Sequence, residues 1–385
     1  MPKNIVFCAD GTWKGLGPRN DGNDDDALHA DATNVLRLFA ALAGTVTPES
    51  LRRQDEQEKV EIGPDGEALQ VAKYLHGVGD SGNLLRKLLG GVFGEGFIER
   101  IVRGYTFVSR HHQPGDRIFL VGFSRGAYTV RALGGMIAKM GLLPHDALRA
   151  ADGSYDAEAA YALGVHVWAA YRRAAGKHST LLGYLEEFKS RKIDPARLVP
   201  DVDIEAIGVW DTVGSLGVPI YNPADASKVD VFEFADLALS PKVRRGFHAI
   251  AIDEQRGDFV PTLWDARDGV EQRWFCGAHG DVGGGYPTQD LSGYALDWMV
   301  GRLRDCGVAI GGGYRPVEEP AFGPVHAPHE SPPFDVLPHR PRALPADALF
   351  HPSVQTYLDR VADYQPKGLQ ALLAQRRLDA RVLRA

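Results

Sequence analysis

The chain has 385 residues, 44% of them hydrophobic and 24% charged, and a formal net charge of −7. These values are typical of a globular protein, and the acidic balance offers no basic surface for nucleic acid. No segment reaches the roughly 18 consecutive apolar residues that a membrane helix needs, and the apolar run at residues 5–9 is too short for a signal peptide. We therefore expect a cytoplasmic protein with a single domain over residues 1–385.

Short apolar runs that end in polar or glycine-rich turns predict five β-strands. They cover residues 5–9, 71–75, 118–121, 204–210 and 273–276. Helical patterns separate most of them, as at residues 34–42 and 97–111. Strands that alternate with helices predict an α/β fold with a mostly parallel sheet flanked by helices. Ligands of such sheets bind beyond the carboxyl ends of the strands, so the five turns are expected to build one site.

Two longer segments fall outside this alternation. Residues 154–192 carry Ala, Leu, Tyr and Glu at helical spacing, which predicts a helical insertion after the helix that follows the third strand. We interpret it either as a lid over the site or as a surface pair of helices. Residues 311–345 are rich in Pro and Gly without periodicity, which predicts an extended loop around the core.

The sequence Gly-Phe-Ser-Arg-Gly at residues 122–126 directly follows the third strand and precedes a helical stretch. A strand, a sharp turn and a helix are the setting of a nucleophile elbow, in which the glycines let the chain reverse and the serine hydroxyl lies at the tip. We therefore predict that Ser124 is a nucleophile. The alternative is a turn with a purely structural role.

A serine nucleophile needs a base and a third group that orients the base, and in α/β-hydrolases the acid and then the histidine follow the serine in the chain. Asp211 and His279 have this order, and each closes a predicted strand. His279 also lies in a run with five glycines, which suits close approach of the backbone to a ligand. We predict His279 as the base and Asp211 as the acid. Asp253 and Asp281 compete for the role of the acid, and their structural alternatives are a surface ion pair and a turn cap.

The oxyanion of an acyl-transfer intermediate needs two N–H donors, and the first is expected from Arg125, the residue after the nucleophile. The turn after the first strand supplies the second, from Gly11 or Thr12, and Asp10 could orient this turn or the elbow. The side chain of Arg125 could bind an anionic head group or form an outward ion pair.

Two further motifs are candidate ligand sites. The acidic residues 20–26 superficially resemble a calcium loop but lack its regular ligand alternation and terminal glutamate, so a solvated loop is predicted. Residues 77–82 lack the ending of a phosphate-binding loop, so they predict a tight turn beside the site. No cofactor or metal is expected.

Five motifs carry a resemblance to a known family. They lie at residues 7–13, 77–79, 122–127, 209–215 and 279–286, with weaker similarity at 291–299 and 351–354. The chain resembles the α/β-hydrolase-like family first described as a domain of unknown function, which includes the catalytic domains of type VI secretion phospholipase effectors of the first lipase class. The resemblance implies a Ser–Asp–His hydrolase with Ser124, Asp211 and His279 in the matching positions. The sequence departs from the family at Asp80, where threonine is more frequent, and at Gly280, where serine is frequent.

These residues predict a serine carboxylic-ester hydrolase. The resemblance implies the lipase or phospholipase A type, which acts on lipid or small esters and touches a membrane surface transiently. The resemblance implies, in addition, a secretion or immunity partner and export by a type VI secretion system. Two alternatives stay open. One is a non-catalytic module that binds a ligand with the same turns. The other is a metal-dependent phosphoester hydrolase that uses Asp10, Asp211, His279 and Asp281.

Overall fold

The computed structural model describes residues 2–11, 31–52, 56–77, 93–176, 183, 186–187, 190–213, 238–257, 259–317, 322–332, 334–336 and 338–376. Their strands are β1 (Asn4–Ala9), β2 (Thr45–Val46), β3 (Glu56–Ile62), β4 (Ala68–Leu75), β5 (Arg117–Phe123), β6 (Ile204–Trp210), β7 (Val243–Ala251) and β8 (Val270–Phe275). The helices are α1 (Asn34–Ala41), α2 (Phe93–His111), α3 (Arg125–Met140), α4 (Ala157–Ala174), α5 (His279–Gly283), α6 (Asp290–Asp305), α7 (Pro352–Arg360) and α8 (Lys367–Arg376).

The strands form one sheet in the order β2-β3-β4-β1-β5-β6-β7-β8. The pairs from β4 to β8 are all parallel, and β3 pairs antiparallel with both β2 and β4. The predicted α/β fold with a mostly parallel, helix-flanked sheet is confirmed. Because parallel strands share one direction, the turns after β1, β5, β6, β7 and β8 meet at one edge of the sheet.

Helices cover both faces of this sheet, which explains why the central strands read as continuous apolar runs. Along β1, Ile5, Phe7 and Ala9 pack in one buried cluster with α2, α3 and α4, whereas Val6 and Cys8 pack in the opposite cluster with α1 and α6. A third cluster joins β7 and β8 to α7 and α8. The carboxyl ends of the strands are therefore fixed by packing on two sides.

Helix α4 lies within the segment 154–192. It packs against α2, and a Cβ atom on Gly164 would come within 2.7 Å of Val102 Cγ1. Whether this segment acts as a lid stays a prediction. None of the helices in the described ranges is long and apolar enough to cross a membrane.

Candidate active site

The turn between β5 and α3, where the sequence predicts a nucleophile elbow, has a strained backbone at Ser124. Ser124 has φ 56° and ψ −120°, a conformation that is costly for any residue with a side chain. Its N–H donates to the carbonyl oxygen of Trp210 at 3.1 Å, and its own carbonyl accepts the N–H of Tyr128 at 3.2 Å. Bonds on both sides of the serine therefore hold the strained turn.

The two glycines of the elbow are required by close backbone contacts. A Cβ atom on Gly122 would lie 2.4 Å from the carbonyl oxygen of Gly126, and one on Gly126 would lie 2.0 Å from that of Ala9. The elbow is thus folded on itself and pressed against the end of β1. This packing brings Ser124 beside Gly11, where an added Cβ atom would be 3.2 Å from the serine Cβ.

His279 begins α5, directly after the turn that follows β8, and it lies beside the elbow. Its ring contacts that of Phe123, with centroids 4.5 Å apart, and lies nearly perpendicular to that of Phe259, with centroids 5.1 Å apart. Its Nδ1 atom lies 2.6 Å from Oδ2 of Asp211, the residue after β6. The structure therefore brings the predicted acid and base into direct contact, next to the residue that precedes Ser124.

Asp211 is fully buried and has four hydrogen bonds to its carboxylate. Oδ1 accepts from the N–H of Ala251 at 3.0 Å and from Arg342 Nη1 at 2.7 Å, while Oδ2 accepts from Arg342 Nη2 at 2.9 Å and from His279. Burial opposes ionisation, but the charge of Arg342 and the bond from His279 hold the pKa of Asp211 well below its usual range. Asp211 is therefore ionised at neutral pH.

Burial lowers the pKa of His279 below its ordinary value, although the bond to Asp211 works in the opposite direction. The imidazole is therefore neutral at pH 7. An ionised Asp211 accepts from Nδ1–H, and this assigns the proton to Nδ1 and leaves the Nε2 lone pair free to accept a proton.

Asp10 organises the turn after β1. Its Oδ1 atom accepts the N–H of Gly11 at 2.7 Å, and its Oδ2 atom accepts the hydroxyls of Thr33 at 2.5 Å and Tyr74 at 2.7 Å. The N–H of Gly11, one candidate oxyanion donor, thus already has a partner, and the other candidate, Thr12, lies outside the described residues. Asp10 therefore bonds to the backbone of this turn, and its role in the site stays a prediction.

Arg125 is the first residue of α3 and is half-buried. Burial and the nearby charge of Arg100 lower the pKa of its guanidinium to about 9. Arg100 is itself buried and donates to the carbonyl oxygens of Asp10 and His76. Two cations therefore lie close together at this end of the sheet. The two interpretations of the Arg125 side chain stay predictions.

The two competing acids have other partners. Asp281 bonds to His326 Nδ1 at 2.6 Å, and it accepts the N–H groups of Ala278 and His326 at 2.9 and 3.0 Å. It therefore caps α5 and fixes the loop around residue 326. Asp253 accepts the N–H of Gly277 and the Tyr364 hydroxyl, each at 2.7 Å, so its predicted surface ion pair is replaced by two neutral donors. Among the described residues, the carboxylate bonded to the His279 imidazole is that of Asp211.

Several residues of the site were not identified from the sequence. Arg342 comes from an aperiodic loop, and no motif around it singles it out. Glu254 accepts the backbone N–H of His279 at 3.3 Å and pairs with Arg256 at 2.7 Å. Arg256 in turn lies over the ring of Phe259. The acidic pair after the apolar run at residues 249–252 was the available signal for Glu254.

The remaining candidate motifs have different outcomes. The acidic residues 20–26, and Asp80 with most of the turn at 77–82, lie outside the described residues. Gly280, which departs from the family pattern, is explained by packing, since a Cβ atom there would lie 2.6 Å from the ring of Tyr286. Within the described ranges, no three His, Cys, Asp or Glu side chains are arranged to hold a metal ion.

Residues 3–302 match the family model described as the catalytic domain of Tle1-like phospholipase effectors of the type VI secretion system. The matched range contains Ser124, Asp211 and His279, and it ends before Arg342. An uncharacterized protein of Saccharomyces cerevisiae is 31% identical over 154 residues, which cover 37% of this chain and 18% of that protein.

Two solved structures are also similar. An uncharacterized protein from Pseudomonas aeruginosa is 17% identical, with a TM-score of 0.40 over 80% of this chain and 46% of its own. The Tle1 effector bound to the VgrG spike of the type 6 secretion system is 18% identical, with a TM-score of 0.39 over 74% of this chain and 51% of its own. The matched regions therefore span about half of each solved chain and less than a fifth of the yeast protein.

Proposed function

Since the chain belongs to the family of Tle1-like catalytic domains of type VI secretion phospholipase effectors, we propose that it is a serine carboxylic-ester hydrolase of the lipase or phospholipase A type. In this proposal the fold is of the α/β-hydrolase type and Ser124, His279 and Asp211 form the catalytic triad. The observation that supports it is the 2.6 Å contact between His279 and a buried Asp211, together with the ring contact between His279 and Phe123, the residue before the strained Ser124.

The first half of the reaction transfers the acyl group to the enzyme. Ser124 Oγ attacks the acyl carbonyl carbon while His279 Nε2 takes the hydroxyl proton. Asp211 stabilises the imidazolium that forms, and it stays ionised because Arg342 faces it. The tetrahedral intermediate then collapses, and the imidazolium gives its proton to the departing alcohol or lysolipid. The acyl-enzyme remains.

In the second half, water attacks the acyl-enzyme and His279 takes the water proton. The proton returns to Ser124 as the fatty acid leaves. The Arg125 N–H and a donor from the turn after β1 stabilise the oxyanion in both halves. The Gly11 N–H can serve only if it turns away from Asp10 or is shared with it, so Thr12 is the better candidate for the second donor.

The family description supports a phospholipid substrate, and a lipid at a membrane surface is the one we propose. A secretion partner and an immunity partner belong to the same proposal, as does export by a type VI secretion system. In the solved Tle1 structure the effector is bound to the VgrG spike, and that contact is a property of that effector.

The test compares the wild type with Ser124→Ala on phospholipid vesicles and on p-nitrophenyl esters. We expect Ser124→Ala to lower kcat by several orders of magnitude, because it removes the attacking atom. Ser154→Ala is the matched control, since this exposed serine lies far along the chain from the elbow and should retain full activity. Equal thermal unfolding of the two variants would show that the fold is intact.

The same samples separate the alternatives. A fluorophosphonate probe should label the wild type at Ser124, and EDTA should leave hydrolysis unchanged. Near-normal activity of Ser124→Ala would overturn the serine mechanism. Activity that EDTA abolishes, without labelling, would support metal-dependent phosphoester hydrolysis. Ligand binding without turnover of any ester would support a non-catalytic module.

A further inference from the structure

Arg342 is the point where a loop outside the family-matched range enters the site. The match ends at residue 302, and residue 342 lies in the loop that follows. Its guanidinium forms a bidentate ion pair with the carboxylate of Asp211, in which Nη1 lies 2.7 Å from Oδ1 and Nη2 lies 2.9 Å from Oδ2. The Arg342 side chain is 5% exposed and that of Asp211 is 0% exposed. Few ion pairs are this buried unless their geometry is well satisfied.

The same guanidinium also ties two other segments to Asp211. It donates to the carbonyl oxygen of Ala251, at the end of β7, at 2.7 Å and to that of Phe259 at 2.6 Å. The ring of Phe259 contacts the His279 imidazole. One side chain therefore fixes both the carboxylate that contacts His279 and the segment whose Phe259 ring packs against the same imidazole.

The other charged groups around the pair do not replace Arg342. Glu254 and Arg256, bonded to each other, lie near His279, and their opposite charges partly cancel there. On the side of Asp211 lie His248, whose pKa is lowered to about 3 by burial and by Arg131, and Arg131 itself. His248 is neutral at pH 7, so in the part of the chain that the structure describes the permanent cation in contact with Asp211 is Arg342.

We propose that Arg342 is a positioning residue that keeps Asp211 ionised and aimed at His279, so that the loop beyond the family-matched range completes the catalytic site. The inference rests on the proposed function for the roles of Asp211 and His279. The contact itself is independent of any activity. Without the guanidinium charge, the Asp211–His279 pair gains a proton more readily, whichever of the two residues holds it.

The experiment follows the titration of this pair directly. The His279 imidazole resonances are recorded by NMR against pH, and they are assigned by their loss in His279→Gln. In Arg342→Gln, which removes the charge but keeps an N–H donor, we expect the proton affinity of the pair to rise about tenfold or more. Arg342→Lys keeps the positive charge but lacks the paired N–H donors of the guanidinium. The midpoint of its titration should therefore lie between those of Arg342→Gln and the wild type. Arg340→Gln is the control, because Arg340 is exposed and two residues away.

The pH dependence of kcat/KM gives the second readout. The acidic limb should move to higher pH in Arg342→Gln, and kcat should fall while KM changes little, because Arg342 does not touch the substrate. A folded Arg342→Gln with the midpoint of the wild type would overturn the inference, as would an Arg342→Lys variant with both the titration and the kcat/KM of the wild type. If the wild type neither hydrolyses esters nor reacts with the probe but the midpoint still moves, the proposed function fails and the role of Arg342 in setting the charge of Asp211 stands.

Discussion

Asp10 and Asp211 occupy equivalent positions in the fold and have opposite surroundings. Each is the first residue after a parallel strand, β1 or β6, and each is buried. The carboxylate of Asp10 is bonded to neutral donors, which are a backbone N–H and the hydroxyls of Thr33 and Tyr74. The carboxylate of Asp211 is bonded to a guanidinium and an imidazole.

This difference in partners gives the two carboxylates pKa shifts in opposite directions. Burial raises the pKa of Asp10, and its hydrogen bonds and the charge of Arg100 do not compensate. Burial acts in the same direction on Asp211, but the charges and hydrogen bonds of Arg342 and His279 together outweigh it, and the pKa of Asp211 falls well below the usual range. Each of these strand ends therefore carries a buried carboxylate, and the partners of the carboxylate decide whether its pKa is lowered or raised.

The largest effect that this comparison predicts is on turnover. Asp211→Asn should lower kcat about 10,000-fold, because an amide stabilises neither the imidazolium nor the correct imidazole tautomer. Asp10→Asn keeps an acceptor for the turn and should lower kcat roughly tenfold, which corresponds to the free energy of about one hydrogen bond. Steady-state hydrolysis of one ester by both variants measures the difference. Equal losses would mean that the two aspartates share one role.

The fold was predictable where burial is complete. The strands β1, β5 and β6 are covered on both faces, so they are continuous apolar runs in the sequence. Strand β3 was missed because it carries charged residues, among them Glu56 and Glu58, which pair with Lys73 and Arg110 at 2.7 and 2.6 Å. These contacts depend on neighbours far along the chain. The second and third residues of β7 are exposed arginines, which interrupt the apolar pattern before the buried run at the end of the strand.

The site was predictable to the extent that its residues follow strands. The positions of Ser124, Asp211 and His279 after predicted strands suffice to place them at one edge of a parallel sheet. Arg342 reaches the same place from a loop without periodicity, so only the tertiary fold shows it. The sequence favours Asp211 over Asp253 as the acid, and the structure adds the bonding partners of the two carboxylates, since Asp211 contacts the His279 imidazole and Asp253 accepts the N–H of Gly277.

A substitution at Asp253 should have an intermediate effect, which is on stability. Asp253 extends the comparison to a third aspartate, and its partners, like those of Asp10, are neutral. Burial raises its pKa to about 6 from the ordinary 3.8. Because the folded-state pKa is raised, the Asp253 carboxyl makes its full contribution to the free energy of unfolding below about pH 4. This contribution is lost as the pH rises through 6. The loss is roughly 3 kcal/mol. Asp253→Asn removes this dependence, so we expect the variant to be more stable than the wild type above pH 6.

Urea unfolding of the wild type and of Asp253→Asn at pH 5 and pH 8 tests this prediction. The gain in the free energy of unfolding from Asp253→Asn should be larger at pH 8. Asp363→Asn is the control, because the side chain of Asp363 is exposed and should give the same small change at both pH values. A loss of stability at pH 8 would show that the carboxylate of Asp253 is ionised and stabilising, as that of Asp211 is.

The smallest predicted effect tests the ionisation of Asp10 through one of its neutral donors. Tyr74 donates to Asp10 at 2.7 Å, and Tyr105 donates to the carbonyl oxygen of Gly141 at 3.0 Å, and both rings are buried. Tyr105→Phe removes a bond between neutral groups and should cost about 1 kcal/mol at every pH. Tyr74→Phe should cost about the same when Asp10 is protonated and about 2 kcal/mol when it is ionised, because hydrogen bonds to charged groups are stronger.

The cost of Tyr74→Phe should therefore grow with pH while that of Tyr105→Phe stays constant, and urea unfolding of both variants from pH 4 to pH 9 measures the two curves. The pH at which they separate is the pH at which Asp10 ionises, and a raised pKa requires it to lie above the ordinary value of 3.8. Curves that are already separated by a constant amount at pH 4 would show that Asp10 is ionised there. That result would remove the contrast with Asp211, since both carboxylates would then be held charged by their partners.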